Sequence, residues 1–117
     1  MAVSKIQLNQ LTPVAATPTE FFHADSTYAV AEVTQMIAFN SGAAAGAYTI
    51  YLAPASVLVA GLTNEHKVDA GSVAAGEGAV VTRSLGLVIK GTGAEQKLWV
   101  EADVATVNFI GSGTKFT

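Results

Sequence analysis

Residues 33–52 read VTQMIAFNSGAAAGAYTIYL, two alternating runs joined by an uncharged Asn-Ser-Gly link. In the first run Val33, Gln35, Ile37 and Phe39 share one face, and Thr34, Met36 and Ala38 share the other. In the second, Tyr48, Ile50 and Leu52 oppose Ala47, Thr49 and Tyr51. Period-two alternation in β-branched and aromatic residues predicts strands over residues 29–39 and 47–53, and the Gly-bearing link predicts a hairpin. The pattern recurs along the chain. Residues 3–11 alternate with Ile6 and Leu8 inward, and residues 20–24 carry Phe21 and Phe22. Residues 64–70 form a polar run suited to a sheet edge. Residues 80–90 alternate over Leu85, Leu87 and Ile89. Residues 96–102 place Leu98, Val100 and Ala102 against Lys97, Trp99 and Glu101, and residues 104–110 carry Val107 and Phe109 on one face.

Turn signals separate these runs. Pro13 and Pro18 bound a connector and hold their preceding residues extended. Residues 25–27, 74–78 and 91–95 are Gly-, Asp- or Ser-rich turns. Residues 54–63 fit a strand, a helical turn or an anchored loop. About eight short strands at this spacing predict an all-β fold, a single-domain antiparallel β-sandwich of Ig-like or jelly-roll-like form. The expected division is an extended arm or first strand over residues 1–18, a sandwich core over 19–110 and a tail over 111–117. Strict alternation would bury Ile37, Phe39, Ile50, Leu52, Leu85, Leu87, Val100 and Phe109.

The chain has 117 residues, enough for one domain with its own core. It has no cysteine, which excludes disulfides and thiolate metal sites. The formal net charge is −3 and no basic patch is present, which argues against a nucleic-acid partner. Only 13% of residues are charged, against about 25% in an average domain. Either other protein covers much of the surface, or this is a small β-protein low in charge. No charge falls between Glu32 and Glu65. Glycines, Pro54 and polar residues interrupt that stretch, and its period is not helical, so it does not predict a membrane span. The opening MAVSKIQLNQLTP lacks the apolar run of a secretory leader.

Candidate chemistry is sparse. His23 and His66 fall in separate segments without ligand spacing, so no metal and no other cofactor is expected. Glu101 and Asp103 share a strand end, where solvated carboxylates are common; a paired acid–base or cation role is the alternative. No serine sits in a Gly-x-Ser-x-Gly elbow, and the glycine pairs Gly76/Gly78 and Gly91/Gly93 lack the Lys-Ser/Thr of a phosphate loop. No catalytic residue is expected, and the chain is not expected to be an enzyme. Trp99 is either an interface anchor or a half-buried rim residue.

The order of elements resembles a broad group of small tailed-bacteriophage virion proteins, described as head decoration, collar or tail-accessory proteins. The segments that carry the resemblance are QLTPVAATPTEFFHA, VTQMIAFN, AYTIYL, VAAGEGAVV, LVIKGTGAEQKLWVEAD and VNFIGSG. Where the group has a direct Gly-Asp turn, this chain has the longer loop from Gly91 to Gln96. The resemblance implies a β-sandwich made in the host cytoplasm and carried in the virion, with the major capsid protein or other virion proteins as partners. A capsid decoration or cement role is the expected one, with a homo-oligomer, such as a trimer, as its form. The interface residues expected on this reading are Ile6, Leu8, Leu11, Pro13 and Pro18 from the N-terminal arm, with Trp99, Lys115 and Phe116. A neck, tail or fibre-base component is one alternative. A glycan-binding module stacking sugars on Trp99, Tyr48 or Tyr51 is another.

Overall fold

In the computed structural model, which describes residues 2–81 and 86–117, the chain forms two antiparallel sheets packed as a β-sandwich. Nine strands lie among the described residues: β1 (Val3–Leu11), β2 (Thr19–Ala24), β3 (Val30–Asn40), β4 (Gly46–Pro54), β5 (Lys67–Val73), β6 (Gly78–Val80), β7 (Val88–Lys90), β8 (Gln96–Ala102) and β9 (Val107–Phe116). Sheet A runs β1-β9-β3-β6, with β7 pairing β3 beside β6; sheet B runs β2-β8-β4-β5. Strands β6 and β7 pair with opposite ends of β3 in the same sense, so they act as one interrupted edge strand. Counted so, β1 pairs with β9, β2 with β8, β3 with β6/β7 and β4 with β5. This is a long hairpin doubled on itself and rolled into two sheets, the jelly-roll topology. Of the two sandwich forms expected, the jelly roll is the one observed.

The predicted hairpin at residues 33–52 does not form. β3 lies in sheet A and β4 in sheet B, so residues 41–45 carry the chain across the sandwich. Asn40 makes that corner. Its side chain is fully buried. Its Nδ2 donates to the carbonyls of Ala44 at 2.8 Å and Val73 at 3.2 Å. Its Oδ1 accepts from the Gly42 amide at 2.9 Å and the Thr106 hydroxyl at 2.8 Å. A buried amide with all these partners holds two sheets together where a hairpin turn would hold two strands.

The predicted inward faces are also displaced. β3 carries a bulge between Val33 and Gln35, where two residues of β3 face one step of β9. One extra residue flips every later side chain to the other face. Val33, Met36 and Ala38 therefore point inward and are fully buried, while Phe39 points outward at 43% exposure. Ile37 follows Phe39 outward and is half-buried. Ile50, Val100 and Phe109 are fully buried as expected, and Leu52 and Leu87 pack on the core's margin. Leu85 lies outside the described residues, as does the middle of the strand expected at 80–90.

Phe21, Phe109, Met36, Ile50, Ile89 and Leu98 are the largest fully buried side chains. Each contributes roughly 1.5–3 kcal/mol of transfer free energy. Gly111 faces inward on β9, and a Cβ there would stand 2.7 Å from the Phe21 ring. The central strand thus makes room for the aromatic ring of the opposing sheet.

Elsewhere the elements shift modestly. Residues 64–66 form a 3₁₀ turn before the edge strand β5, and residues 59–61 form another. The segment expected to leave the sandwich at residue 111 instead continues β9 to Phe116, paired on both sides. The first strand is likewise laid along β9 from Val3 to Leu11.

Candidate interaction surface

The sandwich has two outer faces, and they differ in chemistry. On sheet B, β4, β8 and β2 place Tyr51, Trp99 and Glu20 in one row, and Ala53, Lys97 and His23 in the next. Here the charged side chains and the Tyr51 hydroxyl pair with one another. The Lys97 ammonium meets the Glu20 carboxylate at 2.7 Å, and His23 Nε2 meets Glu95 Oε1 at 2.8 Å. The Tyr51 hydroxyl donates to Glu101 Oε1 at 2.6 Å. Burial, then this bond and the carboxylate's charge, push the Tyr51 pKa up to about 12. The Lys97 ammonium also lies 5.9 Å from the Trp99 ring centre.

On sheet A, β1, β9, β3 and β6/β7 lay their outward residues in rows. One row is Gln10, Ile110, Ile37, Val80; beside it lie Asn108, Phe39 and Gly78. At the other end a row runs Val3, Phe116, Val30, Lys90, and inside it Lys5, Thr114, Glu32, Val88. Between them sit Gln7, Ser112 and Gln35. Of the eight large apolar residues that are exposed among those described, Val3, Phe39, Val80, Val88 and Ile110 belong to this one face. Exposed apolar side chains are thus gathered on one face and paired charges on the other, and protein interfaces characteristically bury apolar surface of the first kind.

The sequence-predicted interface residues scatter over the molecule. Leu8 is buried in the core, and Ile6 and Leu11 pack against it. Pro13 is buried and Pro18 half-buried in the connector, whose Ala16 holds a left-handed φ of 56° and donates its amide to Ala102. Lys115 lies 4.4 Å over the Tyr28 ring at the end of the sandwich. Phe116 alone reaches the outer face of sheet A. Trp99 is 6% exposed, with Nε1 buried and without a hydrogen-bond partner among the described residues. Tyr48 and Tyr51 are buried too, so no ring of the three offers a sugar a stacking face.

The residues that sequence reasoning missed are Phe39, Ile110 and Val80. The signal was present in Thr34-Gln35, two polar residues in succession within an apolar alternation, which mark the bulge that turns Phe39 outward. Asp25, which accepts from the Thr27 hydroxyl and amide, is held below the usual carboxylate range by those bonds. A cleft of ≈ 350 Å³ lies at one end, lined by Pro54, Ala55, Ser56, Lys90, Ala94, Glu95 and Gln96. Among the described residues no group of three His, Asp or Glu side chains is placed to hold a metal ion.

No protein-family model matches the chain, and no curated protein matches it by sequence. Solved structures do. The structure of infectious bursal disease virus Gx strain superposes with a TM-score of 0.53 at 12% identity, over 98% of this chain and 33% of that one. The infectious bursal disease virus VP2 subviral particle gives 0.46 at 14% identity, over 98% of this chain and 32% of the other. This chain therefore spans about one third of those chains, and at such identity the likeness is one of fold.

Proposed function

We propose that the protein is a non-enzymatic structural component of a virion. The observation that carries this reading is the pairing of a jelly roll with one sheet face that gathers five of the eight exposed large apolar residues among those described. The fold likeness to a viral particle protein supports it. The finer reading is a tailed-phage capsid decoration or cement protein, with the major capsid protein or other virion proteins as partners and the virion as its place. Docking by apolar and hydrogen-bonded contact suits a surface rich in Ile, Val, Gln, Asn and Ser, because few charges must be desolvated on assembly. A neck, tail or fibre-base position fits the same fold.

Quantitative mass spectrometry of purified particles tests both. A copy number near that of the major capsid protein, or a simple fraction of it, is expected for decoration. A few to a few dozen copies would place the protein in the neck or tail, and absence from particles would overturn the virion reading.

A further inference from the structure

The cleft of ≈ 350 Å³ is walled by both sheets. Lys90 ends β7 of sheet A, while Pro54 ends β4 and Gln96 begins β8 of sheet B. Its volume is at the lower end of small-molecule sites, about 300–1,000 Å³. The walls are tied to one another. Gln96 Oε1 accepts from the Lys90 amide at 2.9 Å, and the Ala55 amide donates to the Glu95 carbonyl at 2.9 Å. His23 Nε2 holds Glu95 Oε1 at 2.8 Å. The loop over residues 91–96, longer than the turn in the proteins the chain resembles, is fixed as well. The Thr92 amide and hydroxyl both donate to the Tyr28 carbonyl at 2.8 Å. Gly91 packs so closely on that carbonyl that a Cβ would collide with it. The cleft is therefore formed before any ligand arrives, and little ordering remains to oppose binding.

What the walls leave unspent decides the ligand. Among the described residues the Lys90 ammonium has no ion pair, the Ser56 hydroxyl no hydrogen bond and the Gln96 NH₂ no acceptor. Lys90 and Glu95 line the same cleft yet do not pair, because Glu95 meets His23 instead. The open groups are thus one cation, two neutral donors and the second oxygen of a carboxylate whose first is taken. An ammonium with neighbouring donors suits an anion of carboxylate type. Glu95 Oε2 is left to accept a hydroxyl, which is desolvated at less cost than a second charge. The Pro54 ring and the Ala55 methyl supply apolar surface for C–H groups between the two. We propose that this cleft binds a sugar unit bearing a carboxylate, with that carboxylate on Lys90 and a ring hydroxyl on Glu95. Polar contact here takes the place of the aromatic stacking that Trp99, Tyr48 and Tyr51, all buried, do not offer. The inference goes beyond the virion reading and does not depend on it.

An NMR titration of the isotope-labelled chain with glucuronate tests it. The amides of residues 54–56 and 90–96 should shift saturably, with a dissociation constant in the millimolar range. Glucose, which lacks the carboxylate, should bind at least about 10-fold more weakly. Lys90→Gln should cost a similar factor, and it leaves the backbone bond from residue 90 to Gln96 in place. Ser56→Ala should weaken binding about 3–10-fold. Lys5→Gln, on the opposite edge of sheet A, should bind as wild type does. The glucose comparison uses wild type, so it stands even where a variant fails to fold. No saturable shift at tens of millimolar, or shifts that map elsewhere, overturns the proposal. So does Lys90→Gln binding as wild type does, or glucose binding as well as glucuronate. The free amino acid alanine binding as tightly as glucuronate would also overturn it and give the cleft to zwitterions. Failure here leaves the virion reading standing, and absence from particles leaves this site standing.

Discussion

Replacing Asn40 by alanine should cost about 4–6 kcal/mol of folding stability, and the figure follows from who is left behind. The side chain has four partners at the corner between the sheets. Ala44 is exposed, and Gly42 and Thr106 are partly so, which lets water replace the lost bond at each for roughly 1 kcal/mol. Val73 is 1% exposed, so its carbonyl is orphaned in a dry site at roughly 1–3 kcal/mol. The small void adds to that. The total is a large part of the 5–15 kcal/mol typical of a domain. Urea unfolding followed by Trp99 fluorescence and by circular dichroism measures the change. A loss below about 1.5 kcal/mol would refute the claim that this side chain, rather than the backbone of residues 41–45, holds the corner. Asn40→Asp sharpens the test. Its second oxygen would face two carbonyls, so burial and those dipoles raise the folded pKa above the unfolded value of about 3.9. The folded variant then binds more protons than the unfolded one, and its stability should fall as pH rises through the acid range.

Gly111→Ala should destabilise by roughly 1–3 kcal/mol, because the new methyl meets the Phe21 ring. Phe21→Leu should cost less in that background than in wild type, and simple additivity would refute the packing account. In a spectrophotometric titration near 295 nm, Tyr51 should ionise near pH 12 rather than 10. Its pKa is raised on folding, so its contribution is full below pH 10 and is lost as pH climbs toward 12. Tyr51→Phe should flatten that decline, and an unchanged alkaline profile would contradict the Glu101 bond.

Element existence was legible because alternation and turn residues are local. Residues 96–102 read correctly to the residue, with Leu98, Val100 and Ala102 inward. What failed was any inference that counted through a bulge. One unpaired residue near Thr34 moved Phe39 from core to surface and hid the contact face with it. The link at 41–45 failed for another reason. A hairpin turn and an inter-sheet corner of equal length share glycines and small residues, and only the burial of Asn40 against Val73 and Thr106, distant in sequence, distinguishes them. The nomination of Ile6, Leu8 and Leu11 as interface followed from placing them on an arm. Once β1 is laid along β9, Leu8 is core and Ile6 and Leu11 pack against it.

The doubled-hairpin pairing also orders the closure of the chain in time. β4 and β5 are separated by residues 55–66, whereas β1 pairs with β9 across nearly the whole described chain. Loop-closure entropy grows with separation, so closure should run outward from β4–β5. Pulse-labelled hydrogen exchange should protect β4 and β5 amides before those of β1. Until β9 docks, Ile6 and Leu8 are an apolar strand without a home, and the Lys5 charge and the register shift beside Leu8 sit where they would discourage another chain from taking β9's place.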